Sequence, residues 1–257
     1  QKKDMLIYKE TFERFSVSIE TTSDKKFYII NSGDHSTNKC YLLNSDLKNL
    51  RVSLFYDFKE SITYSLDSWN NHFYIHTNHK ARDFKISRSK HNRKKVCLDF
   101  IKPKKNTIIG GYIILKDWFI WKETKSANSK IFVQNNISKK IEEINFFDDN
   151  VKSVSFSSYE RNKKSDFIYI SFSSPKSPSK IFLYNIKTKK RSIVKKQIIP
   201  SGFNENDYIS ERVYAVSKDK IKIPITIIRH KNTKLDGRAK LLLYGYGSYG
   251  SSVGNNF

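Results

Sequence analysis

The residues best suited to chemistry lie at the end of the sequence, where glycines alternate with tyrosines. Four of the nine glycines fall within the last 13 residues, and Tyr246 and Tyr249 lie among them. Residues 245–250 have the spacing G-x-G-x-x-G directly after an apolar run, as a dinucleotide-binding loop does. That loop also needs an acidic residue about 20 positions later, and two tyrosines would crowd a pyrophosphate. A nucleophile elbow around Ser248 would need glycine at position 246. The pattern therefore favours neither a nucleotide site nor a nucleophilic Ser248.

Histidines and cysteines are the next candidates, because they are the usual metal ligands. His72, His76 and His79 would cluster on a helix, but the intervening residues 73–75 are Phe-Tyr-Ile, which is typical of a strand. Positions four apart on a strand are separated by about 13 Å, so His72 and His76 cannot share one ion. Cys40 and Cys97 lie 57 residues apart, which excludes a disulfide scaffold and fits a reducing compartment such as the cytoplasm. We expect no metal site and no cofactor.

A repeat organises the first 200 residues. Clusters of aromatic and β-branched residues begin at Phe27, Phe73, Trp118 and Phe167, with starts 46, 45 and 49 residues apart. Each cluster predicts a strand, and each repeat adds one strand before it and two after it. These additional strands are predicted at residues 15–19, 41–43, 52–56, 62–66, 84–86, 96–101, 108–115, 131–133, 141–146, 154–156, 181–184 and 192–196.

Four strands in a period of that length are typical of a β-propeller blade. The sequence therefore predicts a mainly β chain with about four four-stranded blades. Rings close with about four to eight blades, so we expect an incomplete propeller. A β-sandwich of two or more domains is the alternative, although unrelated sandwiches would not be expected to keep a constant period.

The pattern changes near Pro200, where a second kind of structure begins. Strands are predicted at residues 212–217 and 221–229, and Pro224 in the second is tolerated only at an edge or a bulge. The run Leu-Leu-Leu-Tyr at residues 241–244 is apolar throughout. It predicts a strand that is buried on both faces.

The formal charge of +23 comes from 48 basic and 25 acidic residues. No helix-turn-helix, zinc-finger or RNP pattern accompanies this charge, so we expect no nucleic-acid partner, with a basic nucleic-acid binder as an open alternative. Apolar runs fall far short of the roughly 20 residues of a membrane-spanning helix, so no membrane partner is expected. Asp148, Asp149, Glu205 and Asp207 are candidates to offset the positive charge locally.

Residues 242–250, Leu-Leu-Tyr-Gly-Tyr-Gly-Ser-Tyr-Gly, resemble the entry to the catalytic domain in the prolyl oligopeptidase family of serine peptidases. Weaker likenesses occur in the family's order at residues 8–10, 17–19, 64–67, 72–74, 117–118, 179–184 and 221–225. The resemblance implies a seven-bladed propeller that covers an α/β-hydrolase domain and admits only short peptides. Residues 1–207 would then be later propeller blades, and residues 208–257 the first strands of the hydrolase domain.

The resemblance also assigns roles to the two tyrosines. Tyr246 matches the tyrosine whose hydroxyl helps form the oxyanion hole, and Tyr249 matches a position lining the pocket for the residue before the cleaved bond. The likeness is strongest to the branch that cleaves after Lys or Arg. The family's serine, aspartate and histidine lie downstream of this motif, so the 257-residue chain is expected to be inactive alone. Short peptides would be substrates only once the catalytic part is supplied. A stand-alone propeller-like interaction module without activity is the alternative.

Overall fold

The computed structural model describes residues 4–46, 50–58, 61–93, 96–147, 149–159, 163–248 and 251–257. These residues form two compact units, Gln1–Ile109 and Gly110–Phe257. Within the described ranges the regular structure is β-strand apart from two 3₁₀ turns, His91–Arg93 and Glu205–Asp207. In the same ranges no helix is long and apolar enough to cross a membrane.

The first unit contains two four-stranded antiparallel sheets, blade 1 and blade 2, in which each strand pairs with the next along the chain. Side chains alternate across each strand, so apolar residues at every second position reach the core. The core includes Ile29 and Leu42 of blade 1 and Phe73 of blade 2. Blade 1 consists of β1 (Ser16–Thr21), β2 (Phe27–Gly33), β3 (Asn38–Asn44) and β4 (Ser53–Leu54), and blade 2 of β5 (Tyr64–Trp69), β6 (His72–Thr77), β7 (Lys85–Lys90) and β8 (Leu98–Ile101).

Blades 3 and 4 repeat this arrangement, with the first strand of blade 3 beginning at the boundary between the units. Their core includes Ile120, Ile131 and Ile168, each with no exposed surface. Blade 3 consists of β9 (Ile108–Ile114), β10 (Trp118–Lys125), β11 (Asn128–Asn135) and β12 (Ile141–Ile144), and blade 4 of β13 (Ser153–Ser158), β14 (Phe167–Ser174), β15 (Ser177–Asn185) and β16 (Arg191–Lys196). The prediction of four four-stranded blades is confirmed.

After blade 4 the chain forms an antiparallel hairpin of β17 (Tyr208–Val216) and β18 (Lys222–His230). β17 begins four residues before the predicted strand, because residues 208–211 pair with residues 227–230. Pro224 lies opposite Tyr214. A two-stranded sheet has a free edge on each strand, and this edge tolerates the missing N–H of proline.

The prediction of a buried strand at residues 241–244 is wrong. These residues form no strand, and Leu241, Leu242 and Leu243 are 85%, 90% and 81% exposed. A strand buried on both faces needs neighbouring strands and a covering layer on each side. No strand in the described part of the chain pairs with residues 241–244. An apolar run indicates a tendency to be buried, but the burial itself depends on partners.

Candidate active-site segment

We call residues 241–248 and 251–257 the tyrosine-glycine segment. Tyr246, the predicted oxyanion donor, is 53% exposed and lies in a stretch without regular structure. The backbone N–H of Ser251 donates to the carbonyl of Ser248 at 3.0 Å. Tyr249, the predicted pocket residue, lies outside the described residues. The roles of Tyr246 and Tyr249 therefore stay predictions.

The far end of this segment is held by Asn255, which is 3% exposed. Its Oδ1 accepts hydrogen bonds from Nη2 of Arg212 at 3.1 Å and from Oγ1 of Thr226 at 2.9 Å. Its Nδ2 donates to the carbonyl of Ala127, and its backbone N–H donates to Oγ of Ser153 at 3.1 Å. One residue therefore bonds to blade 4, to the turn between two strands of blade 3, and to both strands of the hairpin.

Phe257 adds a second anchor two residues later. Its backbone N–H donates to Oγ of Ser173 at 3.0 Å. Its ring packs edge-on against Phe203, with ring centroids 4.8 Å apart, and Phe203 stacks on Tyr208. The end of the segment is thus held against blade 4 and against Phe203, which precedes the hairpin.

The turn between β14 and β15 is built from serines whose hydroxyls hold other parts of the chain. Ser174 donates to Asp149 at 2.6 Å, and Ser177 donates to Glu205 at 2.7 Å. Both serines are almost fully buried. The composition of this stretch predicts a turn. Asp149 and Glu205, its hydrogen-bond partners, lie about 25 residues or more away in the sequence, so no local pattern identifies them.

The acidic residues near this turn are neutralised by lysines. Asp149 forms an ion pair with Lys176 at 3.3 Å, and Glu205 forms one with Lys180 at 3.3 Å. The Ser177 hydroxyl, followed by Lys180, lowers the pKa of Glu205. Asp207 pairs with Lys231 at 2.7 Å, and this hydrogen bond lowers its pKa. Asp148 lies outside the described residues. Asp149, Glu205 and Asp207 therefore each offset a positive charge of the chain itself.

The three histidines of the metal-site hypothesis are engaged separately. His72 and His76 lie on β6, as the strand prediction required. Nδ1 of His72 is hydrogen-bonded to the carbonyl of Asn70 at 2.8 Å, and Nε2 of His76 to that of Ile109 at 2.7 Å. His79 packs on Phe58, with ring centroids 4.5 Å apart. Across the described ranges, no group of three or more His, Cys, Asp or Glu residues is placed to hold a metal ion.

A second serine pattern was missed by the sequence analysis. Residues 250–254, Gly-Ser-Ser-Val-Gly, satisfy G-x-S-x-G with Ser252 at the centre. A nucleophile elbow places this serine between a strand and a helix, whereas residues 251–257 form neither. Asn255 was also missed, because a buried asparagine in a polar stretch carries no signal in the sequence.

The fold and this segment define a class of protein with four-stranded propeller blades followed by a hairpin and a tyrosine-glycine segment. The family profile described as "Prolyl oligopeptidase, N-terminal beta-propeller domain" matches residues 1–197. The chain belongs to the prolyl oligopeptidase family. The propeller prediction is therefore confirmed, and the β-sandwich alternative is wrong.

The chain is also similar to individual peptidases. The chain is 25% identical over 261 residues to dipeptidyl aminopeptidase BI of Pseudoxanthomonas mexicana and 21% identical over 258 residues to protease 2 of Moraxella lacunata. It aligns over 99% and 100% of its own length and spans only 35% and 36% of theirs.

Solved structures show the same fold. Oligopeptidase B from Trypanosoma brucei, with covalently bound antipain, matches with a TM-score of 0.88 at 19% identity over 98% of this chain and 37% of that one. Oligopeptidase B from Leishmania major matches with a TM-score of 0.88 at 20% identity over 100% of this chain and 37% of that one. At these identities the likeness concerns the fold.

Proposed function

We propose that this chain is the propeller-side part of an oligopeptidase B-like serine endopeptidase that hydrolyses short peptides after Lys or Arg. The observation that carries the proposal is the order of features in one chain. A propeller-domain match over residues 1–197 is followed by a hairpin and then by the tyrosine-glycine segment. In this proposal residues 1–207 limit access to short peptides, and residues 208–257 begin the catalytic domain.

The proposed contribution of this chain to the chemistry is one hydrogen-bond donor. Acyl transfer builds negative charge on the oxygen of a tetrahedral intermediate, and donors aimed at that oxygen stabilise it. The phenol of Tyr246 can donate such a bond. Its 53% exposure in this chain leaves the hydroxyl accessible to a substrate carbonyl. Tyr249 is proposed to line the adjacent pocket.

The preference for Lys or Arg is proposed to come from acidic residues of the catalytic part. Within this chain Asp149, Glu205 and Asp207 are each paired with a lysine, and the formal charge of +23 repels basic peptides. Cys40 and Cys97 are not joined in a disulfide, which supports the proposed cytoplasmic location.

The 257-residue chain alone is proposed to be inactive, because a serine peptidase needs its nucleophile, base and orienting acid together. The purified chain should show no turnover of an arginyl fluorogenic peptide and no labelling by a fluorophosphonate probe. Ser252→Ala provides the control for the G-x-S-x-G pattern. Labelling that is present in the wild-type chain and absent from Ser252→Ala would overturn the proposed inactivity.

A chimera tests the activity itself. Residues 1–257 replace the equivalent segment of Moraxella lacunata protease 2, and the parts of that enzyme on either side of the segment are retained. We expect cleavage of the arginyl peptide and much slower cleavage of a prolyl one. Tyr246→Phe should lower kcat about 100-fold to 1,000-fold, as the loss of other oxyanion donors does. Tyr214→Phe, an exposed tyrosine on β17, is the matched control and should leave kcat unchanged. A Tyr246→Phe chimera that is labelled by the fluorophosphonate probe and cleaves the arginyl peptide as fast as the wild-type chimera would contradict the assignment of Tyr246 as an oxyanion donor.

A further inference from the structure

We propose that Asn255 is a positioning residue that fixes the tyrosine-glycine segment, and with it Tyr246, against the propeller blades and the hairpin. This inference rests on the proposed function, because it concerns the placement of the proposed oxyanion donor. It adds a residue to which neither the family resemblance nor the comparisons assign a role.

Several hydrogen bonds converge on this one buried residue. Oδ1 of Asn255 accepts from both Arg212 and Thr226, Nδ2 donates to the carbonyl of Ala127, and the backbone N–H donates to Ser153. A side-chain amide has two acceptor sites and two donor hydrogens. Asn255 uses both acceptor sites and one donor, which is close to its full capacity for a residue that is 3% exposed.

The partners of the Asn255 side chain suit an amide, because two of them donate a hydrogen bond and one accepts. Burial lowers the pKa of Arg212, so its guanidinium has lost part of its hydration and benefits from the Asn255 oxygen as an acceptor. On the other side the partner is the Ala127 carbonyl, which can only accept. A carboxylate at position 255 would satisfy Arg212 and repel that carbonyl. An alkyl side chain would leave Arg212, Thr226 and Ala127 with unmade hydrogen bonds.

Glycines in the segment give a further reason for an anchor. Eight residues lie between Tyr246 and Asn255, and Gly247 and Gly254 are among them. Glycine widens the accessible backbone conformations, so the position of the segment has to be set by anchors. Asn255 and Phe257 are anchored at one end, whereas residues 241–244 at the other end are exposed.

The first test uses the 257-residue chain itself and does not depend on activity. Chymotrypsin cleavage after Tyr246, and hydrogen exchange of residues 251–257, report on docking of the segment. Asn255→Ala should accelerate both by about tenfold or more, because about three hydrogen bonds are lost. Asn256→Ala, the exposed neighbour, is the matched control and should change neither.

Asn255→Asp is the second variant, and it keeps the acceptors for Arg212 and Thr226 while losing the bond to Ala127. We expect the cleavage and exchange rates of Asn255→Asp to lie between those of wild type and Asn255→Ala. A general loss of folding would not produce such intermediate rates. Equal rates in Asn255→Ala and Asn256→Ala would overturn the proposal.

The second test applies the same three variants to the chimera. Asn255→Ala should lower kcat about tenfold with little change in KM, because a misplaced donor weakens binding of the transition state more than binding of the substrate. Asn255→Asp should recover part of the loss. An active chimera with unchanged kcat in Asn255→Ala would overturn positioning and leave the proposed function standing. An inactive wild-type chimera would count against the proposed function, while the cleavage and exchange rates would still decide the role of Asn255.

Discussion

The four blades and the region after residue 207 differ in how far their apolar side chains are buried. In the blades, large side chains such as Phe73 and Phe119 have no exposed surface. After residue 207, Val216 and Ile223 of the hairpin are 65% and 47% exposed, and Leu242 is 90% exposed. Both regions are rich in β-forming residues, so composition alone does not explain the difference.

The difference lies in where the pairing partners come from. Each blade strand pairs with its neighbour in sequence, so the sheet is completed by local connections. A strand buried on both faces, as predicted for residues 241–244, needs partners from distant parts of a chain and a covering layer. Local sequence is therefore sufficient to complete a blade and insufficient to complete the later region.

The test with the largest expected effect is a pair of truncations to alanine, one in the core of a blade and one in residues 241–244. Phe119→Ala removes a fully buried ring that stacks on Tyr112 with centroids 5.2 Å apart, and it should lower the free energy of unfolding by about 3–5 kcal/mol. Leu242→Ala removes an exposed side chain and should change that free energy by less than about 0.5 kcal/mol. Urea denaturation measures both. Similar losses in the two variants would show that residues 241–244 are packed after all.

A second test concerns Asn38, a buried asparagine in the blades. Oδ1 of Asn38 accepts from the backbone N–H of Tyr64 at 2.7 Å, and Nδ2 donates to the carbonyl of Tyr64 at 2.7 Å. Asn38 lies on β3 and Tyr64 on β5, so this side chain joins blades 1 and 2. Asn38→Leu should cost about 2–3 kcal/mol, because two backbone groups of Tyr64 lose their partner.

The control for Asn38 is Asn44→Leu, at the exposed end of the same strand, which should cost much less. Comparison with Asn255→Ala then separates two uses of a buried amide. The Asn38 change should lower the free energy of global unfolding, whereas the Asn255 change should mainly loosen one segment. If Asn38→Leu and Asn255→Ala lowered the free energy of global unfolding equally, the distinction between the two regions would be removed.

Periodicity predicts much of the fold, because aromatic clusters such as 73–75 and 118–121 mark one strand in every blade. It also predicts the strand that carries His72 and His76. It does not reveal Asn255, whose partners Ala127 and Ser153 are more than 100 positions away. Its burial depends on tertiary packing that no spacing rule describes. The family resemblance supplies Tyr246 as a candidate, but the geometry of an oxyanion hole depends on residues beyond this segment.

The smallest expected effect is a pH dependence confined to the blades. Burial lowers the pKa of His76 below its ordinary value of 6.5. Its Nε2 is hydrogen-bonded to the Ile109 carbonyl at 2.7 Å, and its ring stacks on Phe84 with centroids 4.8 Å apart. Below pH 6.5 the unfolded chain therefore binds more protons at this histidine than the folded chain. The contribution of neutral His76 to the free energy of unfolding is therefore complete above pH 6.5 and is lost as the pH falls below that value.

Urea denaturation at pH 8 and pH 5.5 measures this loss. His76→Phe keeps a ring against Phe84 and removes the titrating group, so its stability should fall less between the two pH values than that of wild type. The variant should be less stable at both values, because the Ile109 carbonyl loses its donor. The comparison therefore rests on the difference between the two pH values within each protein. Hydrogen-exchange protection, corrected for the intrinsic exchange rate at each pH, should fall in β6 at pH 5.5 and stay unchanged in β17 and β18, because the destabilised group lies in blade 2. The same pH dependence in wild type and His76→Phe would assign it to other groups.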